Sequence, residues 1–283
     1  MHPTLGEISA LGIEVRSYQL IRWAYFAAGA ALLAALNRRR GIRIGQSLGA
    51  FLVGIPAGLV GGHLLNVIEA WPFYRAQPDR ILAVVVGGSS FFGALIGGLA
   101  AGVAYLRWRR LAVRGFLDAA APVMALGAAM TRLGCFVNGC CFGHPTLGVV
   151  GVEFPRDSQV FAAQVAAGLI ASGSAGSLPV HPTQLYSAAL SALLCLVLIG
   201  LFVRGRLFPG ALVCLFLFGY GLQRLVVGWW RADTALYWWE LTVPLSLASI
   251  AVAAALWLLW RPAPRRGEPR PAGLEATEPE SDS

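Results

Sequence analysis

The chain has 283 residues, 57% hydrophobic and only 13% charged, with a mean hydropathy of +0.66. That is too apolar for an ordinary soluble domain and places the chain among polytopic membrane proteins. Its net charge of +8 comes from arginine alone, since no lysine occurs, and those arginines punctuate apolar stretches instead of forming the basic face that nucleic-acid binding requires.

In chain order, the N-terminal MHPTLGEISALGIEVRS lacks a charged start followed by an apolar core, so no cleavable signal peptide is expected. Seven stretches reach the roughly 20 residues that a 30 Å hydrocarbon layer demands. They lie near 18–36, 47–69, 82–105, 116–134, 183–203, 208–228 and 239–260. The expected fold is an all-α polytopic membrane protein, a single integral domain over 1–260. A Pro-, Glu- and Ser-rich tail, 261–283, cannot bury a core and is expected to be disordered.

Arginine placement sets the orientation. Arg38, Arg39, Arg40 and Arg43 follow the first span; Arg107, Arg109, Arg110 and Arg114 follow the third. Arg204 and Arg206 follow the fifth, and Arg261, Arg265, Arg266 and Arg270 the seventh. All four clusters fall on one side of a seven-span arrangement. This predicts an outward N-terminus, a cytoplasmic C-terminus and a multi-pass location in a bacterial inner membrane. The longest outward connection, about 135–182, carries a strand-like VVGVEF and a flexible-looking SGSAGS.

Two arginines stand apart from these clusters. Arg132 ends span four in AAMTRLGCF, and Arg224 lies within span six in GYGLQRLVV. An intramembrane arginine costs at least about 2.5 kcal/mol at mid-depth unless it snorkels or finds a partner. Few carboxylates are at hand, and Asp118 sits at the far end of span four. A two-arginine clamp on an anion such as a lipid phosphate suits the guanidinium fork; helix-to-helix pairing is the other reading.

The glycines of FFGALIGGLAAG are expected to pack helices closely. HPTQLY opens span five with Thr183 as a candidate cap, or with His181, Gln184 and Tyr186 lining an outward site. His63 in span two has Asn66 one turn later. Cys135, Cys140, Cys141 and His144 space as C-x4-C-C-x2-H, which matches no common zinc pattern, so no metal is expected. A disulfide on the oxidising side, a thiol role and plain packing stay open. Cys195 and Cys214 look like ordinary packing residues.

RLGCFVNGCCFG (132–143) resembles the signature of the bacterial prolipoprotein diacylglyceryl transferases, roughly R-x-G-N-F-x-N-G-E-x-x-G. RSYQL, HPTQLY, GYGLQRLVVGWWR and GGSSFFGALIGG agree in order and spacing, so the resemblance covers about residues 10–260. It implies seven spans with an outward N-terminus. It also implies transfer of the diacylglyceryl group of phosphatidylglycerol to the cysteine thiol of a prolipoprotein lipobox within its signal peptide, leaving glycerol-1-phosphate. No cofactor is implied.

The resemblance further implies catalytic roles for Arg132, Arg224 and Tyr18, and phospholipid contacts from Arg132, Arg224, Asn138, Gly139 and Gly143, with Gln184 and Tyr186 nearby. Four positions depart from the pattern. Phe92 replaces a histidine proposed as base, Cys135 an asparagine, Cys140 a glutamate, and Gly228 a glutamate one turn after Arg224. Phenylalanine accepts no proton, which leaves His181 or His63 as candidate bases. A transferase with a remade base, a relative with another acceptor or thiol chemistry, and a non-catalytic lipid-binding or transport protein are the three readings at this level.

Overall fold

The computed structural model describes residues 4–8, 13–82, 89–232 and 242–262, with side chains from Leu20 onward. The tail from residue 263 and the side chain of Tyr18 lie outside the described residues. A short antiparallel hairpin, β1 (Thr4–Ile8) and β2 (Ile13–Arg16), pairs Ile8 with Ile13 and runs into helix α1 (Ser17–Arg38). IEVR alternates apolar and charged residues, the period of a strand rather than a helix.

The remaining helices are α2 (Ile44–Glu69), α3 (Trp71–Ala76), α4 (Phe91–Trp108), α5 (Val113–Asn138), α6 (Gln159–Ala166), α7 (Thr183–Arg204), α8 (Ala211–Gly228) and α9 (Val243–Trp260). Seven of them, all but α3 and α6, are long and apolar enough to cross a membrane. Each falls on an expected span. The third begins at Phe91 instead of near 82, because Pro78–Leu82 forms a 3-10 turn.

The fourth span is longer than expected and runs to Asn138. Gly134 does not stop it; the first left-handed residue is Gly139, at φ 68°, which caps the helix. Cys135 therefore belongs to the helix rather than to the connecting loop.

Helices α5 and α8 form the centre. Half of the most apolar stretch of α5 and 61% of that of α8 are buried, against a third or less in the other five. Ala119, Ala121, Ala125 and Ala128 give α5 a thin face that lets α1 and α7 approach closely. Asp118, 2% exposed, joins the two central helices at the arginine-rich end. Its carboxylate accepts from the Gly210 and Leu212 N–H groups at 2.8 and 2.9 Å, and Arg40 stands 3.9 Å away. An anion there complements the positive end of the α8 dipole. It is thus spent far from Arg132, as the helix length required.

Helices α2 and α4 pack through glycine. A Cβ at Gly61 would sit 2.5 Å from the Gly93 carbonyl and 3.1 Å from the Gly97 Cα, so the two backbones touch with no side chain between them. Ser89 and Ser90 precede α4 in non-helical conformation, and the Ser90 N–H bonds the Gly62 carbonyl at 2.9 Å.

At the arginine-poor end, Phe142, Phe154, Val160 and Val180 make a small core of their own. VVGVEF is not a strand: Val152 alone exchanges backbone bonds with Val180, at 3.0 and 3.1 Å. Helix α6 was not anticipated; Ser158 caps it by accepting from the Phe161 N–H at 3.2 Å. The SGSAGS run is held by the Arg156 guanidinium, which donates to the Gly173 and Ser174 carbonyls.

Candidate functional site

Arg132 lies in the last two turns of α5 and Arg224 in the last turn and a half of α8, so the two most enclosed helices deliver both guanidiniums to one end of the bundle. The two stand within Coulomb range of each other. Tyr220, one turn before Arg224 and 2% exposed, links them, for its hydroxyl hydrogen-bonds Arg132. Its ring is fixed between Phe91, stacked at 4.1 Å, and Phe216 at 5.9 Å. Phe92 meets the same ring edge-on at 6.0 Å.

Arg231, just beyond α8 and 9% exposed, is the third cation of the group, within Coulomb range of Arg224. Glu69, the last residue of α2, faces Arg224 from across the bundle while accepting the Ser90 hydroxyl at 2.8 Å. Three guanidiniums, one carboxylate and one phenol thus share a space walled by aromatic rings. Such a set suits an ester of phosphate with an apolar body.

The turn after α5 carries the second half of the site. Gly139 suits this turn because of its left-handed backbone, φ 68°, and because a Cβ would press on the Ser158 Cβ at 3.0 Å. Asn138 and Gly139 line a narrow cleft with Phe154, Pro155 and Ser158. Cys141 takes the left-handed conformation, φ 62°, uncommon outside glycine. Gly143 is wedged between the backbones of His181 and Trp230; its N–H donates to the His181 carbonyl at 3.0 Å.

The first turn of α7 holds this loop. Thr183 is not the expected cap: Pro182 takes that position, and the Thr183 hydroxyl, 1% exposed, donates to the Cys141 carbonyl at 2.8 Å. Gln184, fully buried, donates to the Cys140 carbonyl at 2.8 Å, and its Oε1 finds no partner among the described residues. Gln184 therefore supports the loop from beneath and does not line an open surface. His181 and Tyr186 bond one another, Nδ1 to hydroxyl, at 3.2 Å.

No disulfide forms among the described cysteines. The sulfurs of Cys135, Cys140 and Cys141 nonetheless lie within 4.8 Å of one another. Hydrogen bonds from the Cys135 and Cys140 thiols hold the Cys141 thiol well below the usual thiol range, with Arg231 and Arg132 adding to the effect and burial opposing it. Cys140 is pushed up, by its bonds to Cys135 and Cys141 and by burial. Among the described residues this trio is the one set of metal-ligating side chains drawn together, yet the adjacent guanidiniums oppose a cation there.

His63 is a packing residue: its Nε2 meets the Ile81 carbonyl at 2.9 Å and ties α2 to the 3-10 turn, while Asn66 accepts from Tyr74 at 2.9 Å. Cys195 bonds the Pro122 carbonyl at 3.2 Å, and Cys214 is buried; both pack as expected. Tyr220, Arg231 and Glu69 escaped the sequence reading. Only Tyr220 gave a local signal, by lying one helical turn before an intramembrane arginine.

Comparison with known proteins decides the family. The family model described as prolipoprotein diacylglyceryl transferase matches residues 7–261. The chain belongs to that family. Its relatives include the phosphatidylglycerol–prolipoprotein diacylglyceryl transferase of Synechococcus elongatus, 34% identical over 91% of this chain and 86% of the relative. Proteins of the same name from Clostridium tetani (30% identical; 82% and 86% covered) and Xanthomonas oryzae pv. oryzae (34%; 80% and 79%) are similar over most of their length.

Proposed function

We propose that this chain transfers the diacylglyceryl group of phosphatidylglycerol to the cysteine thiol of a prolipoprotein lipobox, forming a thioether and releasing glycerol-1-phosphate. The reading is carried by one observation, the convergence of Arg132 and Arg224 on Tyr220 at the ends of the two most enclosed helices. The reaction displaces a phosphate ester from carbon, so charge builds on the leaving phosphate as the C–O bond breaks. Guanidiniums fixed in a water-poor site stabilise that charge without reorganising. Arg231 adds a further cation. Holding lipid and thiol together supplies the rest through proximity.

The arginines that follow α1, α4, α7 and α9 in sequence support a site facing outward, with the C-terminus in the cytoplasm of a bacterium and the chain in its inner membrane. Phosphatidylglycerol then enters from the outer leaflet between helices, and the signal peptide presents its cysteine from the same side. Asn138, Gly139 and Gly143 shape the turn beneath the headgroup, while Tyr18 is a further candidate for the catalytic group.

The test is complementation of a strain depleted of its own diacylglyceryl transferase. Rescue by this chain, abolished by Arg132→Ala and by Arg224→Ala in proteins shown to be inserted, is the expected result. Full rescue by both variants would falsify the clamp.

A further inference from the structure

Transfer to a thiol requires something to take the thiol's proton, and Phe92, buried against Tyr220 beside the arginines, cannot. The two candidate histidines, His63 and His181, are engaged elsewhere. His63 presents Nε2 to a carbonyl, so that nitrogen already bears a proton, and His181 is bonded to Tyr186.

The cysteine turn, by contrast, gathers three sulfurs around one left-handed residue. Cys141 is held at φ 62°, a conformation that a non-glycine residue keeps only where its surroundings impose it. Those surroundings are in place: Thr183 and Gln184 grip the Cys141 and Cys140 carbonyls, and the Cys140 N–H bonds the Cys135 carbonyl at 3.1 Å. Three sulfurs are thereby gathered within 4.8 Å. The buried Gln184 Oε1, unpartnered among the described residues, is a spare acceptor on the amide that holds Cys140.

The charges around Cys141 favour an anion. Arg132 of α5, Arg224 of α8 and Arg231 beyond it all stand within Coulomb range. Among the other titratable groups, Tyr220 binds Arg132, Glu69 of α2 faces Arg224, and His181 and Tyr186 at α7 bind each other. Helix α4 opens at this end with Phe91 and Phe92, whose rings pack on Tyr220, and its capping Ser90 donates to Glu69.

We propose that Cys141 is the general base of the transfer, taking the proton of the acceptor cysteine, with Cys135 and Cys140 as the donors that stabilise its thiolate. The proposal rests on the transferase reading above. In the step, the acceptor S–H breaks and its proton goes to the Cys141 sulfur. The freed electron pair forms the C–S bond at the glyceryl carbon, and the C–O bond to phosphate breaks with its pair leaving on oxygen. Glycerol-1-phosphate departs with one more negative charge than the diester had. It then takes the proton from Cys141, or water does, and the thiolate is restored. A general base must stand deprotonated before the step, and the cations around Cys141 favour that state.

Asparagine and aspartate both tolerate the left-handed conformation, so Cys141→Asn and Cys141→Asp preserve the turn while differing in whether they accept a proton. The assay uses full-length protein with phosphatidylglycerol vesicles and a lipobox peptide. Cys141→Asn should lower kcat by about 10²–10⁴-fold with KM for the lipid little changed, and Cys141→Asp should recover at least roughly tenfold of that. Because the base works deprotonated, wild-type kcat/KM should fall as pH drops through the depressed Cys141 value, a limb that the asparagine variant lacks. Wild-type protein without activity would instead defeat the transferase reading. An active wild type matched by Cys141→Asn within about threefold, or a metal ion bound stoichiometrically by the three sulfurs, would overturn the base while leaving that reading intact.

Discussion

Replacing Gly143 by alanine tests how tightly the cysteine turn is positioned. The added Cβ would stand 2.7 Å from the His181 Cβ, 2.7 Å from the Trp230 carbonyl oxygen and 2.8 Å from the His181 oxygen. Ordinary contacts begin at 3.4 Å, so something must move by about 0.7 Å. Two of the three neighbours are backbone, and both strands of backbone are committed. The Gly143 N–H bonds His181, the His144 N–H bonds the Trp230 carbonyl at 2.9 Å, and the Ala232 N–H bonds Phe142 at 3.1 Å. Overpacking of this kind costs about 1–3 kcal/mol. The displaced segments are the ones that carry Cys141 and Arg231, and a misplacement near 1 Å lowers turnover about 10²-fold. Thermal unfolding in detergent and kcat/KM for a lipobox peptide should therefore fall together. Gly200→Ala is the control: nothing lies within 4 Å of its Cβ, so activity should be unchanged and stability should rise by about 0.5–1 kcal/mol. A Gly143→Ala protein with wild-type rate and unfolding midpoint would show that the turn yields freely and that its close contacts position nothing.

Asp118→Ala should destabilise the bundle by about 3–5 kcal/mol, because two buried N–H groups at the start of α8 lose a charged acceptor; unfolding in detergent reads this, and an unchanged midpoint would refute it. Activity per folded molecule should persist, since the residue lies at the end remote from Arg132. Tyr220→Phe keeps the ring stack with Phe91 and removes the bond to Arg132. A hydrogen bond to a charged group is worth about 1.5–3 kcal/mol, so kcat/KM should fall about 10–100-fold with little change in unfolding. Equal rates for the two proteins would remove Tyr220 from the site.

What could be read in advance depended on the range of the interaction. The seven spans and the isolation of Arg132 and Arg224 follow from composition along one segment at a time, and they hold. Asp118 was placed away from Arg132 by helix length alone. The glycine packing of α4 was legible because its spacing repeats within one helix. Thr183 was misread because a hydroxyl at a helix start resembles a cap, and only the fold brings it to Cys141, 42 residues away. Glu69 and Arg231 carry no signal of their own, and nothing near them in sequence shows that α2 and the end of α8 meet at Arg224. The end of α5 was placed too early since Gly134 and Gly139 read alike until one adopts φ 68°.

The glycine seam between α2 and α4 also constrains how a lipid can reach the arginines. With backbone against backbone there is no side chain to rotate out of the way, so these two helices behave as a single rigid plank. The plank leans on α5 only lightly through α4, its hold on that side coming from Phe91 and Phe92 against Tyr220. Separation along that thin side is therefore the least costly way to admit two acyl chains. Any such movement would carry Glu69 and Ser90 away from Arg224 together, linking the width of the doorway to the charge felt inside it.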